Sequence, residues 1–281
     1  MLSDADIGRF GDEGFLVVDD VLSPDEVHDL RDVCDSDEVT DGLKLAGYDR
    51  KVVHLLELTT RHPALRALAS DPRIVDRVSR LIGPDVQLQH SKLTTKPPVQ
   101  GHGAFDWHQD FAYFPHTNTD LVAVMVMLDD ATPENGCMSI VRGSHVGGLL
   151  DHSKGGWFAG ACQDEQAASD KSRVAALTPK AGGISIHHCM SLHGSPENAS
   201  GRPRRGIVYQ YRAADAFQLG GHLFLDTGYQ VRGRPASCVR CDEGVHELPK
   251  WQGMSPAHGS VWGQAGDLAA RWNRERDVGQ Q

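Results

Sequence analysis

The sequence has no apolar stretch of the length that a membrane-spanning helix requires. Its longest apolar run, residues 121–128, suits a buried strand, whereas a spanning helix needs about 20 residues. Residues 1–10 are polar and acidic and lack the basic start and apolar centre of a secretory signal. We therefore expect a cytoplasmic protein that has no membrane partner.

An excess of basic residues is also missing. The formal net charge is -10, from 38 Asp and Glu against 28 Lys and Arg. Contacts with phosphate need clustered Lys and Arg, so this balance argues against a nucleic-acid partner. It also disfavours a polyanionic substrate such as a CoA thioester, unless a local basic patch overrides the total.

Cysteine is sparse and scattered. The six cysteines occur without a secretory context, so we expect reduced thiols. Cys238-x-x-Cys241, with His246 nearby, is the one spacing that suggests zinc. A structural zinc site usually needs two such pairs, and we favour two loop cysteines.

The N-terminal part of the chain carries helix signals. Ser23-Pro24-Asp25-Glu26 has the residues of a capping box and predicts a helix to about Cys34. Asp71-Pro72 opens a second helix that Gly83-Pro84 closes, and a shorter one precedes it from Pro63. Each helix has one apolar stripe, so we expect the helices to buttress a sheet.

From residue 86 onward the pattern changes to short strands separated by Gly, Pro and Asn turns. On the first strand, Val86, Leu88, His90 and Lys92 are predicted to share one face. Many short strands of this kind predict an antiparallel sandwich or jelly roll. The predicted strands cover residues 86–95, 107–110, 121–128, 139–141, 184–188, 190–194 and 205–211.

One short stretch, Trp107-His108-Gln109-Asp110, points to chemistry. On a strand, His108 and Asp110 would share a face and supply two thirds of a two-His-one-carboxylate site for iron. His193 can supply the third ligand, and Arg204 follows it after a polar loop. A lone His-x-Asp is weak evidence in a chain with 15 His, so the longer context decides.

That context resembles the phytanoyl-CoA dioxygenase family of Fe(II)/2-oxoglutarate oxygenases. Residues 108–115, His-Gln-Asp-Phe-Ala-Tyr-Phe-Pro, resemble the metal-binding strand of the family. Arg142 stands where the family often has Pro, outside the metal set. The other matching segments, in family order between about residues 10 and 215, are Lys96-Pro97-Pro98, Asn135-Gly136-Cys137, Gly143-Ser144-His145 and His193-Gly194-Ser195 with Asn198 and Arg204.

The resemblance implies a mainly β fold with flanking α-helices, the double-stranded β-helix or cupin-like jelly roll. It also implies Fe(II), 2-oxoglutarate and O2 as cofactors, with His108, Asp110 and His193 as the catalytic metal ligands. The donor set alone does not choose the metal, because Zn(II), Co(II) and Ni(II) accept the same ligands. As implied cosubstrate-binding residues we name Arg204, Ser195 and Lys92, with Lys51 as a further candidate.

Two assignments have rivals. For the distal metal ligand, His188 is the alternative to His193, and His187 is interpreted as a structural histidine. Arg204 is expected to bind the C5 carboxylate of 2-oxoglutarate through its planar guanidinium. Arg205 is its rival, but adjacent residues of a strand face opposite ways, so only one of the two can serve.

We expect a single oxygenase domain. It comprises a helical buttress (about 1–85), a jelly-roll core (about 86–215) with a lid (about 146–180), and a C-terminal extension (about 216–281). Trp251, Trp262 and Trp272 suggest that the extension packs on the core. The aromatic candidates for the substrate pocket, for which core or lid packing is an equal alternative, are Phe105, Phe111, Tyr113 and Trp157.

The predicted function is a dioxygenase that oxidises a C–H bond of a small organic substrate, with release of succinate and CO2. Related halogenases have a small residue in place of the carboxylate, so Asp110 predicts oxygenation. Hydroxylation is the first expectation, cyclisation, desaturation and epimerisation are alternatives, and a natural-product tailoring step is favoured. A non-catalytic cupin-like binding protein and a zinc hydrolase are the rival classes. The protein is expected to be a monomer or a homodimer.

Overall fold

Helices make up most of the N-terminal part of the protein. The computed structural model describes residues 1–40, 53–96, 98 and 103–246, so the predictions on Lys51, on Pro97 and on the three C-terminal tryptophans lie outside the described residues. The helices are α1 (Asp4–Glu13), α2 (Pro24–Asp35), α3 (Asp37–Thr40), α4 (Leu58–Arg61), α5 (Pro63–Ala69) and α6 (Pro72–Ile82).

The predicted helix starts are confirmed by their caps. At the start of α2, the Ser23 hydroxyl accepts from the Glu26 amide at 3.3 Å, and the Glu26 carboxylate accepts from the Ser23 amide at 2.8 Å. Asp71 caps α6 by accepting from the Arg73 amide at 2.8 Å. Helix α1 was not predicted. It starts with the same reciprocal arrangement, between Ser3 and Asp6.

The strands form two main antiparallel sheets. Within the described residues, the larger sheet has the order β1-β10-β5-β12-β3-β13, with β2 also paired to β3, and the smaller has the order β4-β11-β6-β9. The strands are β1 (Phe15–Val18), β2 (Val53–Leu56), β3 (Val86–Lys96), β4 (Phe105–His108), β5 (Leu121–Met127), β6 (Met138–Val141), β7 (Ser153–Lys154), β8 (Trp157–Phe158), β9 (Val174–Leu177), β10 (Ile184–His188), β11 (His193–Ser195), β12 (Arg204–Ala213) and β13 (Gln230–Arg232).

The larger sheet has a different partner on each face. One face packs on the helices, where Ile74 and Val78 of α6 share a core with Val124 and Val126 of β5. The opposite face packs toward the smaller sheet, and there Met125 shares a core with residues of β6 such as Met138 and Ile140. The predicted fold, a jelly roll with helices on its outside, is confirmed. No helix among the described residues has both the length and the apolar character needed to cross a membrane.

Strand β3 changes face partway along its length, contrary to the simple alternation predicted for it. Leu88 lies in the core against the helices, whereas Lys92 faces the space between the sheets. The prediction that both share a face is therefore wrong. The cause is a register shift in the β12–β3 ladder between Gln210 and Tyr211, which adds one residue to β3 between its paired positions His90 and Leu88.

Segments outside residues 86–215 also join the sheets. Strand β1 pairs with β10, β2 with β3, and β13 with the beginning of β3. Within residues 146–180, β7 and β8 form a small hairpin, while β9 pairs with β6 in the smaller sheet. The sheets that surround the site are thus built from most of the described chain.

Candidate metal centre

Two histidines of the smaller sheet lie directly opposite each other. His193 of β11 pairs with His108 of β4 in the ladder, and their ring centroids are 4.2 Å apart. His108 Nδ1 lies 2.7 Å from the carbonyl oxygen of Asp106, and His193 Nδ1 lies 2.9 Å from that of Ser191. Because a carbonyl only accepts, each Nδ1 carries the proton and each Nε2 keeps a lone pair for a metal.

Asp110 reaches the same point by a route that the sequence did not predict. Strand β4 ends at His108, and Asp110 begins a 3-10 turn that runs to Ala112. The expected single strand with both side chains on one face is therefore wrong. The turn nevertheless brings Asp110 Oδ1 to 3.8 Å from Nε2 of both His108 and His193.

The three side chains form a group that fits a metal ion. Their donor atoms lie within 4.8 Å of one another. Among the described residues, this is the cluster of His, Cys, Asp or Glu side chains that could hold a metal ion. Two nitrogen lone pairs and a carboxylate oxygen face each other here, so a cation would satisfy all three. Neutral imidazole and carboxylate suit Fe(II), and three protein ligands leave positions for small molecules.

Burial sets the protonation states that a metal needs. It lowers the pKa of His108 and, with the neighbouring His108 and His187, lowers that of His193 well below its usual value. Burial raises the pKa of Asp110, but the surrounding imidazoles outweigh it, so the net pKa is lowered. Since metal ligands must be deprotonated, the site is prepared to bind one without a proton cost.

Arg204 lines a cavity together with His108, Asp110 and His193. It is the first residue of β12, it is 2% exposed, and burial lowers its pKa to about 10. Its Nη1 donates to the carbonyl of Gly136 at 2.7 Å, while its Nε has no hydrogen-bond partner. Among the described residues no carboxylate forms an ion pair with Arg204, so a buried guanidinium here calls for an anionic ligand.

The cavity brings the remaining predicted site residues together. Lys92 and Ser195 line it with the metal group and Arg204, and burial lowers the pKa of Lys92 to about 8. The polar lining is completed by Thr94, His54 and His187, and the apolar lining by Phe105, Ala123, Met125, Met138, Gly194 and Val208.

The rival residues lie elsewhere. Arg205 points away from the cavity and pairs with Asp129 at 3.1 Å and Asp35 at 2.9 Å. His188 accepts from the Met190 amide at 3.1 Å through Nδ1 and does not line the cavity. The structure therefore places Arg204, and not Arg205, in the cavity. Of the neighbouring pair His187 and His188, it places His187 there.

The four aromatic candidates for the substrate pocket differ in whether they line the cavity. Phe105 lines the cavity. Tyr113 packs edge-on against the His108 ring with centroids 5.6 Å apart. Phe111 lies in a separate core cluster, to which Tyr113 also belongs, and Trp157 is exposed on β8.

Two cavity histidines were missed as functional residues. His54 lies on β2 and bonds Thr94 Oγ1 through Nδ1 at 3.2 Å. His187 was interpreted as structural, yet its Nε2 lies 3.3 Å from Asp110 Oδ2. On β10, Ile184 and Ile186 belong to the helix-facing core, so the alternation of the strand was the available signal that His187 faces the other way.

The cysteine pair forms no metal group with the other residues that the structure describes. Cys238 and Cys241 are exposed thiols, and neither belongs to a cluster of metal-binding side chains among the described residues. Arg240 between them forms ion pairs with Asp120 and Asp215. The prediction of two loop cysteines agrees with this arrangement.

A jelly roll that holds a buried His-Asp-His group is typical of the class of non-haem iron oxygenases. The sequence model of the phytanoyl-CoA dioxygenase family, PhyH, matches residues 10–206. This chain belongs to the phytanoyl-CoA dioxygenase family, as the sequence predicted.

Relatives of the chain carry several activities. It is 37% identical over 164 residues to a probable alpha-ketoglutarate-dependent hypophosphite dioxygenase of Stutzerimonas stutzeri, and the match covers 56% of each chain. It is 26% identical to the non-heme alpha ketoglutarate dependent carbocyclase SnoK from nogalamycin biosynthesis, with a TM-score of 0.69 over 83% of this chain and 95% of that one. EctD from S. alaskensis, solved with bound Fe, is 25% identical, with a TM-score of 0.64 over 86% and 88% of the chains.

Proposed function

We propose that this protein is an Fe(II)- and 2-oxoglutarate-dependent dioxygenase that oxidises a small molecule. The observation that carries the proposal is the joint lining of one cavity by the metal group and by Arg204. Arg204 is a buried cation that has no carboxylate partner among the described residues. A dicarboxylate that reaches from the metal to Arg204 would satisfy both ends of the cavity.

Each side chain has a role that its surroundings support. His108, Asp110 and His193 would hold the iron through Nε2 and carboxylate oxygens. Arg204 would bind the C5 carboxylate of 2-oxoglutarate, because a guanidinium offers paired donors to a carboxylate. Ser195, on β11, would donate a hydrogen bond to the same molecule. When bound, iron and 2-oxoglutarate supply the reduction of O2, and 2-oxoglutarate leaves as succinate and CO2.

Lys92 would bind an anion close to the metal. It is buried, and Asp110 is the carboxylate whose charge acts on it. Since Asp110 is committed to the metal, the ammonium can serve an incoming carboxylate as well. This placement supports the role in cosubstrate binding that the family resemblance implies.

The expected reaction is hydroxylation of a C–H bond. Apolar side chains such as Phe105, Met125 and Val208 line the cavity and would keep water from the reacting atoms. Cyclisation, desaturation or epimerisation is the alternative outcome, and a natural-product intermediate is the favoured substrate. The protein would act in the cytoplasm as a monomer or homodimer. Light scattering of the purified protein measures its oligomeric state.

A second candidate is oxidation of a small inorganic oxyanion. The relative from S. stutzeri is named for hypophosphite, and the buried ammonium of Lys92 in this cavity suits a compact anion. Succinate release would be measured with hypophosphite and phosphite beside a panel of neutral organic molecules. Release with the anions alone would favour this second candidate, whereas release with organic molecules alone would remove it.

Cofactor binding is tested first, under anaerobic conditions. Fe(II) and then 2-oxoglutarate are added to the apo-protein, and the weak visible charge-transfer band of the chelated cosubstrate is recorded. We expect a band that His193→Ala abolishes and Arg204→Ala weakens, while Arg202→Ala, at an exposed position in the adjoining loop, leaves it intact. A folded wild-type protein without a band would refute the proposal. A band without succinate release for any substrate would favour a binding protein.

A further inference from the structure

His187 lies against the metal group without belonging to it. Its side chain is 3% exposed, and Nε2 is 3.3 Å from Oδ2 of Asp110. Its ring centroid is 4.4 Å from that of His193. Neither ring nitrogen has a hydrogen-bond partner among the described residues, and the Asp110 carboxylate is the acidic group within ion-pair distance of Nε2.

The fold fixes His187 in this position. It is paired on one side with Phe15 of β1 and on the other with Ala123 of β5, so its backbone is held from both sides. The small side chain of Ala123 also lines the cavity and leaves room for the imidazole. A side chain placed by two ladders is suited to hold another group at a fixed angle.

The two oxygens of Asp110 have different neighbours. Oδ1 lies 3.8 Å from Nε2 of His108 and 3.8 Å from Nε2 of His193, whereas Oδ2 faces His187. We propose that His187 is a positioning residue: in the metal-bound protein its Nε2–H donates to Oδ2, so that Asp110 offers Oδ1 alone to the metal.

The proposal rests on the proposed function and adds a reason for the incomplete ligand set. A carboxylate that binds through both oxygens takes two of the six positions of an octahedral metal. With Oδ2 held by His187, the protein takes three positions and leaves three for small molecules. His187 is not a fourth ligand, because the mutually close donor atoms are those of His108, Asp110 and His193.

Metal affinity tests the proposal without relying on turnover. The dissociation constant for Fe(II) is measured anaerobically by competition with a chromophoric chelator, for wild type and three variants. His187→Phe keeps a ring of similar volume and removes the donor. His187→Gln retains an amide N–H near the Nε2 position. His188→Asn removes the neighbouring histidine of β10 and keeps an acceptor for the Met190 amide, so it is the matched control.

We expect His187→Phe to weaken Fe(II) binding at least tenfold, as removing a group that orients a ligand does. The Fe(II) dissociation constant of His187→Gln should lie within about threefold of the wild-type value. That of His188→Asn should equal the wild-type value. Equal affinity of wild type and His187→Phe would overturn the role of His187 and leave the proposed function standing. A wild-type protein that binds no iron would instead overturn both.

A measurement on the native protein covers the case in which His187→Phe does not fold. In the Zn(II)-loaded protein, long-range ¹H–¹⁵N correlation spectra report which ring nitrogen of each histidine carries the proton. We expect a proton on Nε2 of His187 and on Nδ1 of His108 and His193. A proton on Nδ1 of His187 would overturn the proposal, because Nε2 would then have nothing to donate.

Discussion

The guanidinium of Arg204 is anchored by the backbone carbonyl of Gly136, which accepts a hydrogen bond from Nη1 at 2.7 Å. Gly136 has a φ of +72°, and a Cβ added there would lie 2.5 Å from the carbonyl oxygen of Pro196. The Asn135-Gly136 turn between β5 and β6 therefore positions the residue that we expect to bind the cosubstrate.

Gly136→Ala should impair both folding and cosubstrate binding. The left-handed backbone alone costs about 1–2 kcal/mol for a residue with a Cβ, and the clash would displace the carbonyl that holds Arg204. We expect a lower free energy of unfolding in urea and a higher KM for 2-oxoglutarate. Gly201→Ala is the control, because Gly201 has a φ of +67° with no atom within 4 Å of the added Cβ. An unchanged KM in Gly136→Ala would contradict the anchoring role.

Lys92→Met should stabilise the apo-protein while reducing its activity. Burial lowers the pKa of Lys92 from 10.5 to about 8, which corresponds to roughly 3 kcal/mol of destabilisation at pH 7. The folded-state pKa is below the unfolded one, so the penalty is full below pH 8 and fades as the pH rises toward 10.5. Urea unfolding of the wild-type protein and of Lys92→Met at pH 7 and pH 10 measures this stability penalty. A variant less stable than wild type at pH 7 would show that the ammonium is well compensated.

Gln109→Leu should release residues 148–162 from the segment that follows β4. The Gln109 amide donates to the carbonyls of Gly148 at 2.9 Å and Met190 at 2.7 Å, and it accepts from the Leu150 amide at 2.7 Å. Leaving these groups unsatisfied should cost about 1–3 kcal/mol each at most. Hydrogen–deuterium exchange should speed up across residues 148–162. Gln163→Ala, which loses one local bond to Ala161, should leave the rest of that segment protected.

Metal removal should lower the thermal stability of the wild-type protein and leave one variant unaffected. A ligand that binds the folded state at 1,000 times its dissociation constant stabilises it by about 4 kcal/mol. We expect Tm to rise with Co(II) and to fall again with a chelator. His193→Ala should show neither change. Equal responses of the two proteins would place the bound metal outside the proposed centre.

The features that the sequence did predict rest on short-range rules. The reciprocal cap of Ser23 and Glu26 is local chemistry, and the start of α2 followed from it directly. The roles of His193 and Arg204 came from family spacing and stay predictions. The opposite orientations of Arg204 and Arg205 follow from a local rule, because adjacent residues of a strand face opposite ways. The cap and the strand rule need only the next few residues of the chain.

The features that it did not predict depend on distant segments. The 3-10 turn at Asp110 replaces a strand, and the Phe111 amide at this turn donates to the carbonyl of Cys189, a contact between residues far apart in the chain. The face change within β3 comes from its register with β12, which no alternation within β3 alone contains. The contact of His187 with Asp110 joins two distant parts of the chain, so alternation within β10 indicates which way His187 faces but not which group it meets.

The proposed metal ligands His108 and His193 belong to the smaller sheet, whereas Arg204 and Lys92 belong to the larger one. The spacing between the two layers, about 10 Å in packed sheets, therefore acts as a molecular ruler for any diacid that bridges them. An acid one methylene shorter or longer than 2-oxoglutarate would meet one end of the cavity and miss the other. The packing of the two sheets would then determine which chain length of diacid is selected. Substitutions of Met125 or Met138, which lie between the sheets, would change the preferred length.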